Sequence, residues 1–432
     1  MSSSAPTPSQ AVGLESGLRR QGVEALVWQP DLDPATESAV VAWLNGWHSP
    51  VRVLHVITRY QNGGSQQRLL DAVDAVERAA LVVVGAELDP DSISRDMTPD
   101  TLVLQVPELV RPISPSSDRR ALRALKAIIS LARPHIIHTH QSKAAVLTRL
   151  LLMARPSSPY RLIHSASMQN YGQGFGRLES SVHYLSELAT AWKVDAVAAV
   201  GEEVGTSVRR SGVASKKIEV VRSSQPLAEL RTVAGLSKES ARKQSGLDRD
   251  EERLVVCFAG SLDERKGANE LVDLGARIAR SHPREVLLLV AGEGPLRPLI
   301  EDQARAESSL EVRILGHRGD VPVLMRASDV VVLPSRAEGL PQVLFQAALV
   351  GTPYATFPVA GANEIQRIGG FGTVVDEFDL DLLARAVVDL DGVAALPLAE
   401  QVTAPWNASA VQARYQAIYA RLRGCSGVPA PS

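Results

Sequence analysis

The feature that most constrains the fold is an alternation of short apolar runs with longer amphipathic stretches along most of the chain. Apolar runs of about five to eight residues bounded by turn residues are typical of buried strands, and such alternation predicts strand–helix–strand units in a parallel sheet. A first series of predicted strands lies at 51–57, 81–85, 101–106, 135–140, 161–166 and 195–201. A second series lies at 253–260, 285–292, 310–316, 329–335, 354–359 and 372–376.

The two series predict two doubly wound α/β domains, each with ligand-binding loops at the carboxyl ends of its strands. We place an N-terminal extension at 1–45, a first domain at 46–222 and a second at 223–404. A final helix at 405–423 has an apolar stripe that fits either sheet by pattern alone, and we assign it to the first domain. Inside the extension, the pattern predicts a short strand and a helix, at Ala25–Trp28 and Pro34–Leu44.

Charge and cysteine usage exclude several classes of protein. The 432 residues carry 46 Lys and Arg against 48 Asp and Glu, so the whole chain lacks the basic excess of many nucleic-acid binders. Its two cysteines, Cys257 and Cys425, are too few for a disulfide framework and have no zinc-binding spacing. No apolar run approaches the roughly 20 residues of a membrane-spanning helix. We therefore expect a protein of a reducing compartment, the cytoplasm.

The segment 328–361 carries the strongest functional signal. Its sequence predicts a strand, a turn containing Gly339, and a helix that opens near Pro341. A turn of this kind exposes unpaired N–H groups and the positive end of a helix dipole, which suit a phosphate or sugar oxygen. Glu338 would accept hydrogen bonds from hydroxyl groups there. The same residues would also serve as a plain helix cap, and geometry alone favours neither interpretation.

The segment resembles the donor-binding E-x7-E region of retaining glycosyltransferases of family four, which have the GT-B fold of two Rossmann-like domains facing across a crevice. The matching positions are Ser335, Glu338, Gly339, Pro341, Gly351 and Pro353. The second glutamate of the motif is replaced by Gln346. The resemblance implies that Glu338 and the residues after it, Gly339, Leu340 and Pro341, face the donor sugar. It implies that Gln346 holds the ribose of the nucleotide.

A second match concerns the binding of the nucleotide diphosphate. Residues 258–273 resemble the family segment in which an Arg and a Lys neutralise the diphosphate. Lys266 is in place, but the usual Arg is Ser261. Taken alone, Lys266 is more readily interpreted as a solvated surface lysine. Its position relative to the donor motif reverses that preference and predicts that it binds phosphate. Arg265 would replace the missing charge only if its loop turns inward.

Two further candidates come from the first series of strands. Gly63 and Gly64 resemble the family's Gly-Gly loop, and they would let the backbone approach a diphosphate at the start of a helix. His140 ends a predicted strand at the position where the family has a histidine close to the donor sugar. We expect His138 on the other face of that strand, as a core residue. An isolated Gly-Gly pair is more often only a turn, and a lone strand histidine is usually a core residue.

The resemblance implies a retaining glycosyltransferase that moves a hexose-type sugar from a nucleoside diphosphate sugar to a hydroxyl of a glycan, a lipid-linked intermediate or a small natural product. It implies His140, Lys266 and Glu338 as catalytic residues, and neither a metal ion nor another cofactor. A further departure from the family is Ser223-Ser224, where the family usually has Asn-Gly after the last strand of the first domain. The changes at Gln346 and Ser261 keep a second hypothesis open, a catalytically weakened binding or activating partner of an active enzyme. A GT-B epimerase or phosphorylase fits the motifs less well.

The near-zero net charge hides a basic block. Residues 111–177 contain 11 Lys or Arg and a single acid, Asp118. Basic residues near an anionic membrane surface each contribute about 1 kcal/mol to binding. One interpretation is therefore peripheral contact with the inner face of the membrane, or with a phosphorylated acceptor. The other is that these side chains cover solvated helix faces on different sides of the domain.

Overall fold

The computed structural model describes residues 24–28, 34–47, 51–60, 63–76, 80–88, 90–98, 100–153, 159–168, 177–247 and 252–424. These residues form two parallel sheets with helices between successive strands. The first sheet consists of Glu24–Val27 (β1), Val53–Tyr60 (β2), Leu81–Leu88 (β3), Leu102–Gln105 (β4), Ile136–His140 (β5), Arg161–Ala166 (β6), Ala196–Ala199 (β7) and Ile218–Val220 (β8).

The strand order of the first sheet is β1-β4-β3-β2-β5-β6-β7-β8, and every neighbouring pair is parallel. From β2 onward this is a doubly wound order that reverses between β2 and β5. The strands predicted for the first series are confirmed. Helices of this part are Pro34–Asn45 (α1), Gly64–Asp74 (α2), Pro90–Asp96 (α3), Pro115–Ala132 (α4), Ser142–Met153 (α5), Arg177–Thr190 (α6) and Glu202–Arg210 (α7).

Both ends of the described chain join the first sheet. The strand predicted at Ala25–Trp28 is confirmed as β1, which pairs with β4 at the edge of the sheet. Part of the segment predicted as an extension therefore belongs to the first domain. The final helix buries the predicted stripe, including Tyr415 and Tyr419, in one cluster with Val53 and Ile136 of the first sheet.

The second sheet has the strand order β11-β10-β9-β12-β13-β14, again all parallel, and it reverses between β9 and β12. Its strands confirm the second predicted series: Leu254–Ala259 (β9), Val286–Ala291 (β10), Glu311–Gly316 (β11), Val330–Leu333 (β12), Tyr354–Thr356 (β13) and Gly372–Val374 (β14). The remaining helices are Leu227–Ala234 (α8), Lys238–Gln244 (α9), Leu271–Ser281 (α10), Arg297–Ala306 (α11), Val321–Ala327 (α12), Gln342–Val350 (α13), Ala362–Arg367 (α14), Leu380–Asp389 (α15), Glu400–Thr403 (α16) and Ala408–Gly424 (α17).

Strands β9 and β10 of the second sheet are apolar on both faces, since helices cover both. All six residues of β9 and of β10 are buried, as expected for parallel strands between two helical layers. Among the described residues, no helix is both long and apolar enough to cross a bilayer.

Candidate active site at the facing strand ends

Four predicted site residues lie where the strand order of each sheet reverses. Gly63 follows β2 and His140 ends β5, the two strands on either side of the reversal in the first sheet. Lys266 follows β9 and Glu338 follows β12, on either side of the reversal in the second sheet. Doubly wound sheets bind ligands in the crevice at the carboxyl ends of such strands. The fold therefore brings these residues to the two positions where a ligand site is expected.

Lys266 and Glu338 form an ion pair in the second domain. Nζ of Lys266 lies 2.5 Å from Oε1 of Glu338, and the two side chains are 16% and 10% exposed. The lysine ends a 3₁₀ turn, Glu264–Lys266, that Gly267 terminates with a φ of 69°. A Cβ on Gly267 would lie 2.1 Å from the carbonyl oxygen of Pro334. Only glycine therefore lets this turn pack on the end of β12, where Lys266 reaches Glu338.

Arg265 turns toward the same carboxylate. Its Nη1 lies 3.7 Å from Oε1 of Glu338 and donates a hydrogen bond of 3.3 Å to the carbonyl of Ala337. Ser261, at the position of the family arginine, donates instead to the carboxylate of Asp263 over 2.7 Å. The loop of Arg265 therefore turns inward, toward Glu338, and this residue lies four positions after Ser261.

The turn after Glu338 lies against the first domain. A Cβ on Gly339 would lie 1.9 Å from the carbonyl oxygen of Ser167, so glycine alone allows this approach of the two backbones. Leu340 is 6% exposed, and Pro341 precedes α13. Because proline has no N–H, only Gly339 and Leu340 offer donors among the three residues predicted to follow Glu338 toward the sugar.

Two helix N-termini converge on the crevice. Helix α2 begins at Gly64, after Gly63 at a φ of 153°, and α13 begins at Gln342. A Cβ on Gly64 would lie 3.3 Å from Nε2 of Gln342, so the Gly-Gly loop faces the first residue of α13 directly. Each helix N-terminus carries unpaired N–H groups and about half a positive charge. The pair of them creates a site that favours a polyanion such as a diphosphate.

Gln346 belongs to a chain of three glutamines that also includes a residue outside the predicted set. Its Nε2 donates to Oε1 of Gln225 over 2.8 Å, and Nε2 of Gln225 donates to Oε1 of Gln342 over 2.7 Å. Gln225 lies in the segment between β8 and α8, and it is 7% exposed. Neither Gln225 nor Gln342 was predicted from the sequence. Their positions, shortly after a strand and at the first residue of a helix, were the available signals.

Of the Ser223-Ser224 pair, Ser224 has side-chain partners in the first domain. The N–H of Ser224 donates to Asp71 of α2 over 2.9 Å, its hydroxyl donates to the same carboxylate, and Nε2 of Gln67 donates to the hydroxyl of Ser224 over 3.0 Å. Burial raises the pKa of Asp71, and the hydrogen bonds from Ser224 act in the opposite direction. Ser224 thereby ties the helix behind the Gly-Gly loop to the connection that carries Gln225.

His140 is a buried histidine with a histidine partner. It is 1% exposed, and its Nε2 lies 3.3 Å from Nδ1 of His55 on β2, so one ring donates to the other. The expectation that His138 lies on the opposite face is wrong, because residues two apart in a strand share a face. Their ring centroids are 4.2 Å apart. Burial, with the neighbouring His55 and Arg68, holds the pKa of His140 well below its usual range, so the ring is neutral.

Among the described residues, one cluster has the composition of a metal site. Nitrogen atoms of His55, His138 and His140 all lie within 4.8 Å of one another. Both ring nitrogens of His138 are already engaged, with the hydroxyl of Tyr419 over 2.7 Å and with that of Ser165 over 2.8 Å. The charge of the buried Arg68 also acts on His138 and His140. The cluster therefore fits a hydrogen-bonded core network better than a cation site.

Two family models match the chain, one over each sheet. The model described as Glycosyltransferase Family 4 matches residues 62–223, and the model described as Glycosyl transferases group 1 matches residues 253–391. Among characterised proteins, the chain is 23% identical over 357 residues to the Escherichia coli UDP-Gal:alpha-D-GlcNAc-diphosphoundecaprenol alpha-1,3-galactosyltransferase. That alignment spans 79% of this chain and 88% of the enzyme.

Solved structures of the same fold cover nearly the whole described chain. Sucrose-phosphate synthase from Thermosynechococcus elongatus superposes with a TM-score of 0.65 at 19% identity, over 87% of this chain and 100% of that one. HepE from Anabaena, in complex with UDP-glucose, superposes with a TM-score of 0.60 at 17% identity, over 86% and 99%. These likenesses establish the fold. With the two family matches, the chain belongs to glycosyltransferase family 4 and is a glycosyltransferase of the GT-B fold.

Proposed function

We propose that the protein is a retaining glycosyltransferase that transfers a hexose-type sugar from a nucleoside diphosphate sugar to the hydroxyl of a glycan, a lipid-linked intermediate or a small natural product. The observation that carries this proposal is the convergence of two helix N-termini, at Gly64 and Gln342, beside the Lys266–Glu338 pair. An anion bound there meets N–H groups, helix dipoles and an ammonium group at once. The leaving group of a nucleotide sugar is such an anion.

Relatives support the choice of donor. The E. coli relative is named for UDP-Gal as its substrate and for a diphosphoundecaprenol-linked acceptor. HepE, of the same fold, has been solved with UDP, with UDP and glucose, and with UDP-glucose. A uridine diphosphate sugar is therefore the first donor to test. A lipid-linked glycan is the first acceptor to test.

The proposed chemistry follows from the charges in the crevice. The bond from the anomeric carbon to the diphosphate oxygen breaks, and the acceptor oxygen forms its bond on the same face while its proton passes to the departing phosphate. Lys266 and Arg265 balance the growing negative charge, with the N–H groups of both helix N-termini. Glu338 accepts hydrogen bonds from sugar hydroxyls, and neutral His140 lies beside the anomeric centre. We propose that these groups supply the electrostatic role that a metal ion has in other transferases, so that no cofactor is required.

The competing hypothesis, a weakened partner protein, rested on the changes at Ser261 and Gln346. Arg265 now accounts for the first of them, because it approaches Glu338 from within the same turn. Gln346 keeps an acceptor oxygen for a ribose hydroxyl; a neutral hydrogen bond contributes about 1 kcal/mol and a charged one about 1.5–3 kcal/mol. Both changes are therefore compatible with an active site.

The donor is tested by thermal unfolding with UDP, GDP, ADP or dTDP at millimolar concentration. We expect a rise in Tm with one of them, since a ligand that binds only the folded state stabilises it by mass action. An unchanged Tm with all four would contradict the nucleotide-sugar assignment. Retention is tested by NMR of the product, in which the new glycosidic bond must keep the anomeric configuration of the donor sugar.

We also propose peripheral contact with an anionic membrane through the basic block at 111–177, and the structure narrows the part concerned. Lys143 and Arg161 pair with Asp118 and Asp195, and Arg149 is a buried partner of Glu187. Among the basic side chains of the block that the structure describes, the exposed ones lie on α4 and the turns at its ends: Arg111, Arg119, Arg120, Arg123, Lys126 and Arg133. The side chains of Arg155 and Arg177 lie outside the described part. Helix α4 follows the carboxyl end of β4, the edge that borders the crevice. An acceptor carried by the membrane would then lie within reach of the site.

A further inference from the structure

The three glutamines beside the crevice form a chain of amides with one direction. Each side-chain NH₂ donates to the carbonyl of the next, from Gln346 to Gln225 and from Gln225 to Gln342. Gln342 and Gln346 are one turn apart on α13, so Gln225 spans them from the connection between the domains. The chain has two ends. In the described part of the protein, neither Oε1 of Gln346 nor Nε2 of Gln342 takes part in another hydrogen bond.

The direction of the chain decides what each end presents. The NH₂ of Gln346 donates to Gln225, so the carbonyl oxygen of Gln346 is left as an acceptor. The carbonyl of Gln342 accepts from Gln225, so the NH₂ of Gln342 is left as a donor. Its Nε2 lies 3.3 Å from the position of a Cβ on Gly64. An acceptor suits the hydroxyls of a ribose, and a donor suits an oxygen of a diphosphate. Each end thus has the polarity that its part of a nucleotide requires.

Gln225 is held in place by contacts that fix its side chain. Its backbone N–H donates to the carbonyl of Trp406 over 2.9 Å, and its Nε2 also donates to the carbonyl of Ser224 over 3.0 Å. The ring of Trp406 stacks on Phe345 of α13 with centroids 4.4 Å apart. Because the NH₂ of Gln225 has two carbonyl acceptors on one side, a turned amide would oppose oxygen to oxygen there.

We propose that Gln225 is a positioning residue for nucleotide binding, which sets the amide orientation of both Gln342 and Gln346. The reason lies in the replacement of a carboxylate by an amide at position 346. A carboxylate presents acceptors from both of its oxygens, whereas an amide presents an acceptor from one side only. Gln346 therefore needs a partner that takes up its NH₂, and Gln225 is that partner. The inference rests on the proposed nucleotide-sugar function.

Calorimetric titration of the full chain with UDP and with 2′,3′-dideoxy-UDP tests the ribose end. The affinity for UDP divided by that for the dideoxy compound, here called the ribose ratio, reports the ribose hydroxyls alone. We repeat the pair with the guanosine and adenosine forms if UDP does not bind. Gln225→Leu removes the amide at similar volume. We expect the ratio to fall by about 5- to 10-fold, the equivalent of one neutral hydrogen bond. Gln346→Leu should lower the ratio by the same factor, and the double variant should lower it no further.

Gln225→Glu tests the direction of the chain. A carboxylate at 225 accepts from the NH₂ of Gln346, as the wild-type carbonyl does. Its second oxygen lies against the carbonyl of Ser224, at a cost in stability that the Tm reports. The same oxygen draws the NH₂ of Gln342 and turns the carbonyl of Gln342 toward Gly64. We expect the ribose ratio to stay as in the wild type, while UDP itself binds about 10-fold more weakly because an acceptor now faces the diphosphate. If Gln225 had only a structural role, Gln225→Leu would leave the ribose ratio unchanged, and Gln225→Glu would leave the affinity for UDP unchanged.

Gln366→Leu is the matched control, since Gln366 donates its amide to the carbonyl of Gly372 in the same domain. It should leave both affinities and their ratio unchanged, and Tm measurements verify that each variant is folded. If the wild type binds UDP and the Gln225→Leu variant has the same ribose ratio as the wild type, the inference is overturned and the proposed function stays intact. A wild-type protein that binds none of the diphosphates would overturn both.

Discussion

The carboxylate of Glu364, in the second domain, forms an ion pair with the guanidinium group of Arg222, which follows the last strand of the first sheet. The same carboxylate accepts the N–H of Glu202 over 3.0 Å, at the N-terminus of α7. In return, Glu203 accepts the N–H of Gly361 at the N-terminus of α14. The two helix N-termini therefore face each other across the domain boundary, and each receives a carboxylate from the other.

We expect Glu364→Ala to destabilise the protein strongly. The side chains of Glu364 and Arg222 are 3% and 12% exposed, and removal of one member of a buried pair leaves the other charge unpaired at a cost of about 3–5 kcal/mol. Glu364→Gln, which keeps an acceptor for the N–H of Glu202, should cost less. Urea unfolding followed by circular dichroism measures the difference.

The control for this variant is Asp302→Ala, which breaks an ion pair with Arg305 in which the side chains are 69% and 72% exposed. Exposed pairs contribute about 0–1 kcal/mol, so the unfolding midpoint should stay close to that of the wild type. Equal midpoints for Glu364→Ala and Asp302→Ala would mean that the Glu364 pair does not hold the domains together.

Lys266→Ala is expected to lower kcat/KM for transfer by about 100-fold or more, equivalent to roughly 2.7 kcal/mol of transition-state stabilisation. The ammonium group is the cation that contacts Glu338 most closely, and Arg265, at 3.7 Å, replaces it only in part. Steady-state release of the nucleoside diphosphate measures the loss. Transfer at the wild-type rate would remove Lys266 from the site.

Lys238→Ala is the matched control for Lys266→Ala. Lys238 also pairs with a carboxylate of the second domain, Asp329, but on the far side of β12 from its carboxyl end, and its side chain is 43% exposed. We expect this variant to transfer sugar at the wild-type rate, although it loses an ion pair. A loss equal to that of Lys266→Ala would show that removal of any such lysine disturbs the domain.

Much of the fold was predictable because a parallel strand covered on both faces must be apolar throughout. Runs such as Leu254–Ala259 and Val286–Ala291 therefore have one interpretation. Strand β1 was the least certain, since four residues between Gly and Pro carry little periodicity; its pairing with β4 is a contact over about 78 positions of sequence. Propensity is local, so it contains no information on such contacts.

The site was predictable as far as single residues go. Gly63, His140, Lys266 and Glu338 follow strands, and parallel topology carries strand ends to a common edge. The partners of these residues were not predictable, because a side-chain contact between distant segments leaves no periodic trace. Gln225 and Gln346 are separated by 121 positions and meet through one amide contact.

The buried histidines predict a stability that falls in acid. Burial lowers the pKa of His55 to about 3 and that of His164 to about 4, whereas an unfolded histidine titrates near 6.5. As the pH falls below 6.5, these histidines become protonated in the unfolded chain but stay neutral in the folded protein. Each such histidine therefore removes about 1.4 kcal/mol of stability per pH unit until its folded pKa is reached.

Urea unfolding at pH 7.5 and 5.5 checks this linkage. His55→Asn removes one buried histidine, so the variant should lose less stability between the two pH values than the wild type. His317→Asn replaces an exposed histidine and should retain the wild-type dependence. Identical losses in the wild type and in His55→Asn would mean that His55 is not held neutral in the folded protein.

Membrane contact predicts vesicle binding that depends on α4. Arg119, Arg123 and Lys126 are spaced by four and three residues, so they share one exposed face of this helix, and Ile113 just before it is 68% exposed. We expect co-sedimentation with vesicles of anionic phospholipid at low salt, and its loss at about 0.5 M NaCl because the charges are screened. The triple change of these residues to Ser should weaken binding at least 10-fold, since each contributes about 1 kcal/mol.

The control changes three exposed arginines of the second domain to Ser: Arg280, Arg305 and Arg385. Equal binding to neutral and anionic vesicles, or equal loss in both triple variants, would exclude this face as the membrane contact.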